Sequence, residues 1–278
     1  MLEIGSGWTP IIPLLFTLCG AKTVVLTDVE ELADATTVRN AIEVIRTHAD
    51  EISAALGLEL KAIESRLAGI GDLTFEAQLH AFGWIYQVPW TQAPLGDGGL
   101  DIVYSRAVLE HIRPNEIRHI FLAAHKNLRH NGYMCHIIDN SDHTEHNDKM
   151  ISRVNFLKYN DIIWSLTGIN RQDYQNRLRH SNYLALIAES GYSIVTSQRD
   201  VCERSLQALD TLPLAERFCG MARDDLATMT SFIVARRGAA PAPADRPDGL
   251  LGLGQAIHAA VLARPLSQPQ EGPVLRSE

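Results

Sequence analysis

The sequence predicts an α/β fold, a doubly wound, mostly parallel sheet of seven strands with helices on both faces. Three observations predict it. Short apolar runs of strand length alternate with segments whose apolar residues recur every three or four positions, and that alternation forces a mostly parallel sheet covered on both sides. The 278 residues are 46% hydrophobic, ample for the core of one large α/β domain or two small ones. Near the start, a strand, a glycine turn and a helix follow one another directly, an arrangement that brings a ligand up to bare backbone.

The first strand, residues 1–4, runs into Gly5-Ser6-Gly7, and Pro10 opens an apolar helix over residues 11–19. The glycines permit a tight turn and leave room for a ligand, while the helix start offers unpaired NH groups and a positive dipole end. Pro10 fits the first helical turn, where its missing NH costs nothing. A dinucleotide fingerprint needs a third glycine where Pro10 stands, which counts against a nicotinamide or flavin cofactor. Glu3 followed by Gly5-x-Gly7 resembles motif I of class I S-adenosylmethionine-dependent methyltransferases, whose fold is Rossmann-like. The resemblance implies that this turn cradles the methionine part of the cofactor and that an acid ending the second strand binds both ribose hydroxyls. The next strand, residues 23–27, does end at an acid, Asp28. The family usually carries a preceding helical segment over the cofactor, so the expectation is a truncated or mis-started chain or a lid from elsewhere.

After Asp28, the apolar series Leu32, Ala35, Val38, Ile42, Ile45, Ala49, Ile52 and Leu56 predicts one long helix stopped by Gly57. A second helix is expected over residues 60–67 and a third strand over 85–88. In the resembled family that strand's end contacts adenine, often through an acid. None stands at residues 87–91, and Trp90 is either an adenine platform or a core or rim residue.

Gly96-Asp-Gly-Gly99 is a turn, and the fourth strand covers residues 100–104. The run from Leu100 to Ile112, Leu-Asp-Ile-Val-Tyr-Ser-Arg-Ala-Val-Leu-Glu-His-Ile, closely resembles the fourth-strand motif of the same methyltransferases. It implies that Ser105 and Arg106 lie beside the methionine end of the cofactor and that Glu110-His111 packs near it. Pro114 and Glu116 open a helix with Ile117, Ile120, Phe121, Ala124 and Leu128 on its apolar face, followed by a fifth strand over 133–138.

Residues 139–175 show no sustained periodicity and are too long for an ordinary connection. An insertion at the carboxyl end of a parallel strand is where such an enzyme builds its substrate site. A helix then covers 181–190, a strand 192–196, a helix the region 203–219 and a last strand 229–235, which the resemblance makes antiparallel. From the Ala/Pro-rich stretch onward, residues 238–278 read as a disordered tail, with a short helix possible over 250–262. The methyltransferase domain is thus 1–237, with 139–176 as its substrate-site insertion.

Chemistry concentrates after the fifth strand, where His136, Asp139, Asp142, His143, His146 and Asp148 fall within thirteen residues. Asp139 and His143 are the candidate catalytic pair, His143 as base and Asp139 orienting it. A divalent cation on Asp139, Asp142 and His143 is the sharper alternative, and a solvated polar loop the plainer one. No metal is assigned. His136 reads as a satisfied core histidine. Arg177 and Arg179 are either ligands for a carboxylate or phosphate of the acceptor or solvated arginines.

The net charge of -8, without a Lys/Arg cluster, argues against nucleic acid. Cys19, Cys135, Cys202 and Cys219 stand singly, as free thiols. With no signal peptide and no apolar run of about 18 residues, a cytoplasmic location without a membrane partner is expected. The reading is methyl transfer from S-adenosylmethionine to a small-molecule or glycan-type acceptor, with Glu3, Gly5, Ser6, Gly7, Asp28, Ser105 and Arg106 on the cofactor. Its rivals are a methyltransferase-like binding protein without catalysis and a nucleotide-dependent oxidoreductase. Oligomeric state is left open.

Overall fold

Among the residues that the computed structural model describes, 1–90, 99–167 and 174–238, seven apolar runs become strands. They are β1 (Leu2–Ile4), β2 (Val24–Thr27), β3 (Trp84–Gln87), β4 (Leu100–Arg106), β5 (Leu128–Asp139), β6 (Tyr192–Val201) and β7 (Thr228–Arg237). All lie in one sheet in the order β3-β2-β1-β4-β5-β7-β6. The pairs from β3 to β5 are parallel, whereas β7 runs antiparallel to β5 and β6, as the resemblance implied.

This order fixes where a ligand can bind. From β1 the chain winds outward through β2 and β3, then returns to the other side of β1 to begin β4, so the winding reverses between β1 and β4. Such a reversal opens a crevice at the carboxyl ends of the strands. Ile4 pairs with both Thr27 and Ser105 there, which brings Gly5 level with Asp28 and Arg106.

Strand alternation feeds two cores. Val24 and Leu26 point into a cluster with α1 (Ile11–Leu18) and α2 (Ala35–Thr47), while Leu2, Ile4 and Val25 face the opposite cluster. The first face also receives α3 (Ala49–Leu56), α4 (Leu60–Leu67) and α5 (Phe75–Phe82); the second receives α6 (Pro114–Asn127).

The helix expected over residues 32–56 is two helices. It starts at Asp34, whose carboxylate caps Thr37 N in a capping box, and breaks at His48, which ends α2 and begins α3. Gly57 is the left-handed stop. The α5 helix was not anticipated, although Thr74 caps its start and left-handed Gly83 closes it.

After β5 the insertion holds α7 (Thr144–Asn147), a 3₁₀ turn at Asn155–Lys158 and α8 (Asp161–Thr167), and then α9 (His180–Glu189) returns to the sheet. A third core cluster joins Val154, Phe156 and Leu157 of the insertion to Leu209, Phe218, Leu226 and Met229. The single helix expected over 203–219 is instead α10 (Glu203–Ala208) and a 3₁₀ turn at Glu216–Phe218, with α11 (Arg223–Leu226) beyond. Pro213 stands between the first two, and proline cannot continue a helix. The turn at 96–99, apart from Gly99 itself, and the tail with its possible helix over 250–262 lie outside the described residues. Among those described, no helix is long and apolar enough to cross a membrane.

Candidate functional site

The glycine turn is bound to the end of β2. Ser6 N donates to Thr27 O at 2.9 Å, Gly7 N donates to Asp28 Oδ2 at 2.9 Å, and Thr27 Oγ1 donates to Glu3 O at 2.7 Å. Gly5 and Gly7 both adopt positive φ, +71° and +60°. A Cβ on Gly5 would sit 2.4 Å from Val108 Cγ2, so this glycine lets the turn approach the segment after β4. A Cβ on Gly7 would meet nothing within 4 Å and would fill the open side of the turn.

Two polar groups in this turn are buried without partners. Glu3 Oε2 and Ser6 Oγ have no hydrogen bond, and Glu3 is 5% exposed. Burial, reinforced by the Asp28 charge, holds the Glu3 carboxyl well above the ordinary range, while Arg106 pulls it down. Half-buried Asp28 also accepts Val29 N at 2.7 Å.

Ser105 and Arg106 end β4 beside the turn, but their side chains differ in what they offer. Ser105 is fully buried, with Oγ 2.7 Å from His136 Nδ1. Its hydroxyl is committed to the sheet interior. Arg106 is half-buried and close enough to Glu3 and Glu110 to lower both acids. His136 is a core histidine, stacked obliquely on Phe121 and held neutral by burial, which brings its pKa down to about 3.

Asp139 and His143 come together as expected, with Nε2 3.4 Å from Oδ2. That separation is ion-pair reach with poor hydrogen-bond alignment, and His143 Nε2 is buried without a hydrogen-bond partner. Asp139 Oδ1 accepts both Ser141 N at 2.8 Å and Ser141 Oγ at 2.7 Å. Burial pushes the Asp139 carboxyl up, but His143 and the two Ser141 donors outweigh it and bring it down to about 2. Asp142, by contrast, turns inward to accept Thr144 N and Oγ1 at the start of α7. His146 stacks on His143, ring centroids 5.0 Å apart.

The sequence reading gave Glu110 and His111 no role in catalysis, yet they face His143. The rings of His111 and His143 have centroids 5.1 Å apart, and ligand atoms of Glu110, His111 and His143 lie within 4.8 Å of one another. Glu110 is 3% exposed and both its carboxylate oxygens are buried without a hydrogen-bond partner. Burial pushes its carboxyl well above the ordinary range and the Asp139 charge adds to this, whereas the amides of Glu110 and Asp139 and the Arg106 guanidinium act electrostatically against it. The His111 Nδ1 is 3.0 Å from Tyr174 O, and burial lowers the imidazole's pKa.

Residues 174–179 clamp these pieces together. Asn176 Nδ2 donates to Leu109 O and Ile112 O at 2.7 and 2.8 Å, bracketing Glu110 and His111. Gln175 Oε1 accepts His143 N at 3.2 Å, and Gln175 Nε2 donates to Ser141 O at 3.0 Å. Neither amide was anticipated as a positioning residue, because only the fold brings their partners near.

Arg177 and Arg179 correct both readings entertained for them, since they are neither solvated nor free for an anion. Arg177 is 2% exposed, donates to Phe156 O, Tyr159 O and Asp161 Oδ1, and lies over the Trp164 and Phe218 rings. Arg179 is fully buried and donates to the carbonyls of Asn140, Leu226 and Thr228. Trp90 is half-buried against the apolar cluster of Leu2, Ile4 and Val25, the core or rim position.

No family model and no curated protein matches the sequence. Solved structures do resemble the fold. A SAM-dependent methyltransferase from Methanosarcina mazei is 12% identical, with 85% of this chain and 91% of that chain covered and a TM-score of 0.44. One from Mesorhizobium loti is 14% identical over 85% and 89% of the two chains, with a TM-score of 0.42. A geranyl diphosphate C-methyltransferase from Streptomyces coelicolor is 11% identical over 85% and 70%, with a TM-score of 0.44. These likenesses concern the fold, and the chemistry rests on the residues described above.

Proposed function

We propose that this chain, built on the class I methyltransferase sheet order, transfers a methyl group from S-adenosylmethionine to a small-molecule or glycan-type acceptor, with oxygen as the acceptor atom. One observation carries the reading. At the carboxyl end of β1, a buried carboxylate and a buried hydroxyl, Glu3 Oε2 and Ser6 Oγ, lack partners beside a glycine turn that is open at Gly7. A buried acid without a partner is costly, and a ligand carrying an ammonium group and several polar atoms supplies what it lacks.

The residues fit the cofactor. Glu3 and Ser6 would take its polar amino-acid end, Gly5 and Gly7 allow the close approach, and Asp28 keeps lone pairs for ribose hydroxyls although Gly7 N and Val29 N already bond to it. The Arg106 charge and the Ser105 backbone border the same end. When bound, S-adenosylmethionine supplies an electrophilic methyl group. The remaining task is to hold the acceptor close and remove its proton, and the Asp139–His143 pair has the chemistry for it. Asp139, held ionised, stands where it would orient the imidazole.

Calorimetric titration with S-adenosylmethionine and S-adenosylhomocysteine tests the cofactor assignment. Both should bind, and Asp28→Ala should weaken both by about 1.5–3 kcal/mol, roughly 10- to 150-fold. An unchanged affinity would sink the assignment of Asp28. With an acceptor found by screening hydroxyl compounds, His143→Ala should lose turnover while keeping cofactor affinity; full turnover would remove His143 as the base.

A further inference from the structure

We infer that Glu110, His111 and His143 form a binding site for one divalent transition-metal ion, with Asp139 and the Tyr174 carbonyl as the outer groups that orient the two imidazoles. The expectation from sequence placed any cation on Asp139, Asp142 and His143. The fold instead commits Asp142 to Thr144 and brings in two residues from the turn after β4.

Three features point to an ion. Both oxygens of Glu110 are buried without a hydrogen-bond partner, so two potential ligand atoms stand uncommitted beside the two imidazoles. His111 has Nδ1 engaged by Tyr174 O at 3.0 Å, which leaves Nε2 as the lone-pair nitrogen and fixes the ring. His143 stands 3.4 Å from Asp139 Oδ2, the carboxylate–histidine arrangement that orients metal ligands.

The donor set selects the ion. Two imidazoles and one carboxylate suit Zn²⁺, Mn²⁺, Fe²⁺ or Co²⁺ better than Mg²⁺ or Ca²⁺, which prefer oxygen. Ligand atoms within 4.8 Å of each other are somewhat wider than the roughly 3–4 Å between ligands held at about 2.0–2.2 Å from one ion. Small side-chain rotations close that gap. Three protein ligands leave a coordination position open, and an acceptor hydroxyl bound there would lose its proton more readily. The ion site needs only these side chains and does not rest on methyl transfer. Where both hold, His143 serves the acceptor through the ion and not as a free base.

The test uses the untagged full chain, stripped with EDTA, then titrated with CoCl₂ by visible absorption and with ZnCl₂ by calorimetry. One equivalent of Co²⁺ should bind with new d–d bands that Zn²⁺ displaces. Glu110→Gln, His111→Ala and His143→Ala should each weaken binding at least about 100-fold, and Asp139→Asn by about 10- to 100-fold. No stoichiometric ion, or wild-type binding in Glu110→Gln and His143→Ala, overturns the site. Thermal unfolding covers a variant that folds poorly: Zn²⁺ should raise the wild-type midpoint and leave that of Glu110→Gln unmoved, and an equal rise in both overturns it. S-adenosylhomocysteine titrated into the same samples separates the readings, because a protein that binds the ion and not the nucleoside keeps this site and loses the methyl-transfer reading.

Discussion

Buried ionisable side chains tie the stability of this protein to pH, each with its own sign. His136 is the clearest case. Its pKa is brought down to about 3 by burial, against about 6.5 in an unfolded chain. Between those values the unfolded state binds a proton that the folded state refuses, so His136 stabilises fully above about pH 6.5 and loses about 1.4 kcal/mol per unit as pH falls toward 3. Glu3 and Glu110 act in the opposite direction, because their raised carboxyl groups make the folded state bind protons more readily than the unfolded one. The net curve mixes these effects, but the difference between wild type and His136→Gln isolates the histidine. Urea unfolding from pH 7 to pH 4 should show the variant falling less steeply, and parallel curves would mean that His136 is protonated without cost. The residue's core role was legible in the sequence because it sits mid-strand. The bond from its Nδ1 to Ser105 was not, since it joins positions 31 residues apart.

The glycine turn behaves as one element in which two similar residues have different jobs. Both have positive φ, and an alanine there costs about 1–2 kcal/mol in backbone strain. Gly5→Ala adds a methyl 2.4 Å from Val108 Cγ2, so it should destabilise by a further amount, about 1–3 kcal/mol from overpacking. Val108→Ala in the same chain should recover most of the overpacking and none of the strain. Gly7→Ala meets open space, so it should cost only the strain yet fill the side of the turn assigned to the cofactor. Chemical denaturation with S-adenosylhomocysteine titration on the three variants checks this. Equal stability losses for Gly5→Ala and Gly7→Ala would sink the distinction. The turn was readable because its grammar is local, a strand, two glycines and an apolar helix. The break at His48 was not readable, because the apolar period of Val38, Ile42, Ile45 and Ile52 runs on across it.

Alternation of strand and helix made a mostly parallel sheet legible, whereas the strand order came only with the family that two short motifs resemble, and with it the place of the glycine turn in the crevice. The side proposed for the acceptor was not legible, because its parts meet only when the chain is folded. Glu110 and His111 follow β4, His143 follows β5, and the segment at 174–179 that clamps them arrives after α8. Arg179 is where this assembly depends most on one side chain. It is fully buried, and its guanidinium bonds Asn140 O beyond β5, Leu226 O at the end of α11 and Thr228 O at the start of β7, while Nε lies 3.4 Å from Asp225 O. No other side chain carries five donors in a plane, so no substitution satisfies the same carbonyls. Arg179→Leu fills the volume and leaves the carbonyls unpaired, and the expected loss is about 3–5 kcal/mol. Arg179→Lys keeps the charge but reaches fewer of them and should fall between. Urea unfolding measures both, and a loss under about 1 kcal/mol for the leucine variant would mean that the carbonyls find other donors. Because Asn140 adjoins Asp139, the same variant should also loosen the Asp139–His143 pair, seen as a change in the His143 imidazole signals by NMR below the unfolding transition. An unchanged His143 spectrum in a folded Arg179→Leu protein would show that the pair is held by Ser141 and Gln175 alone.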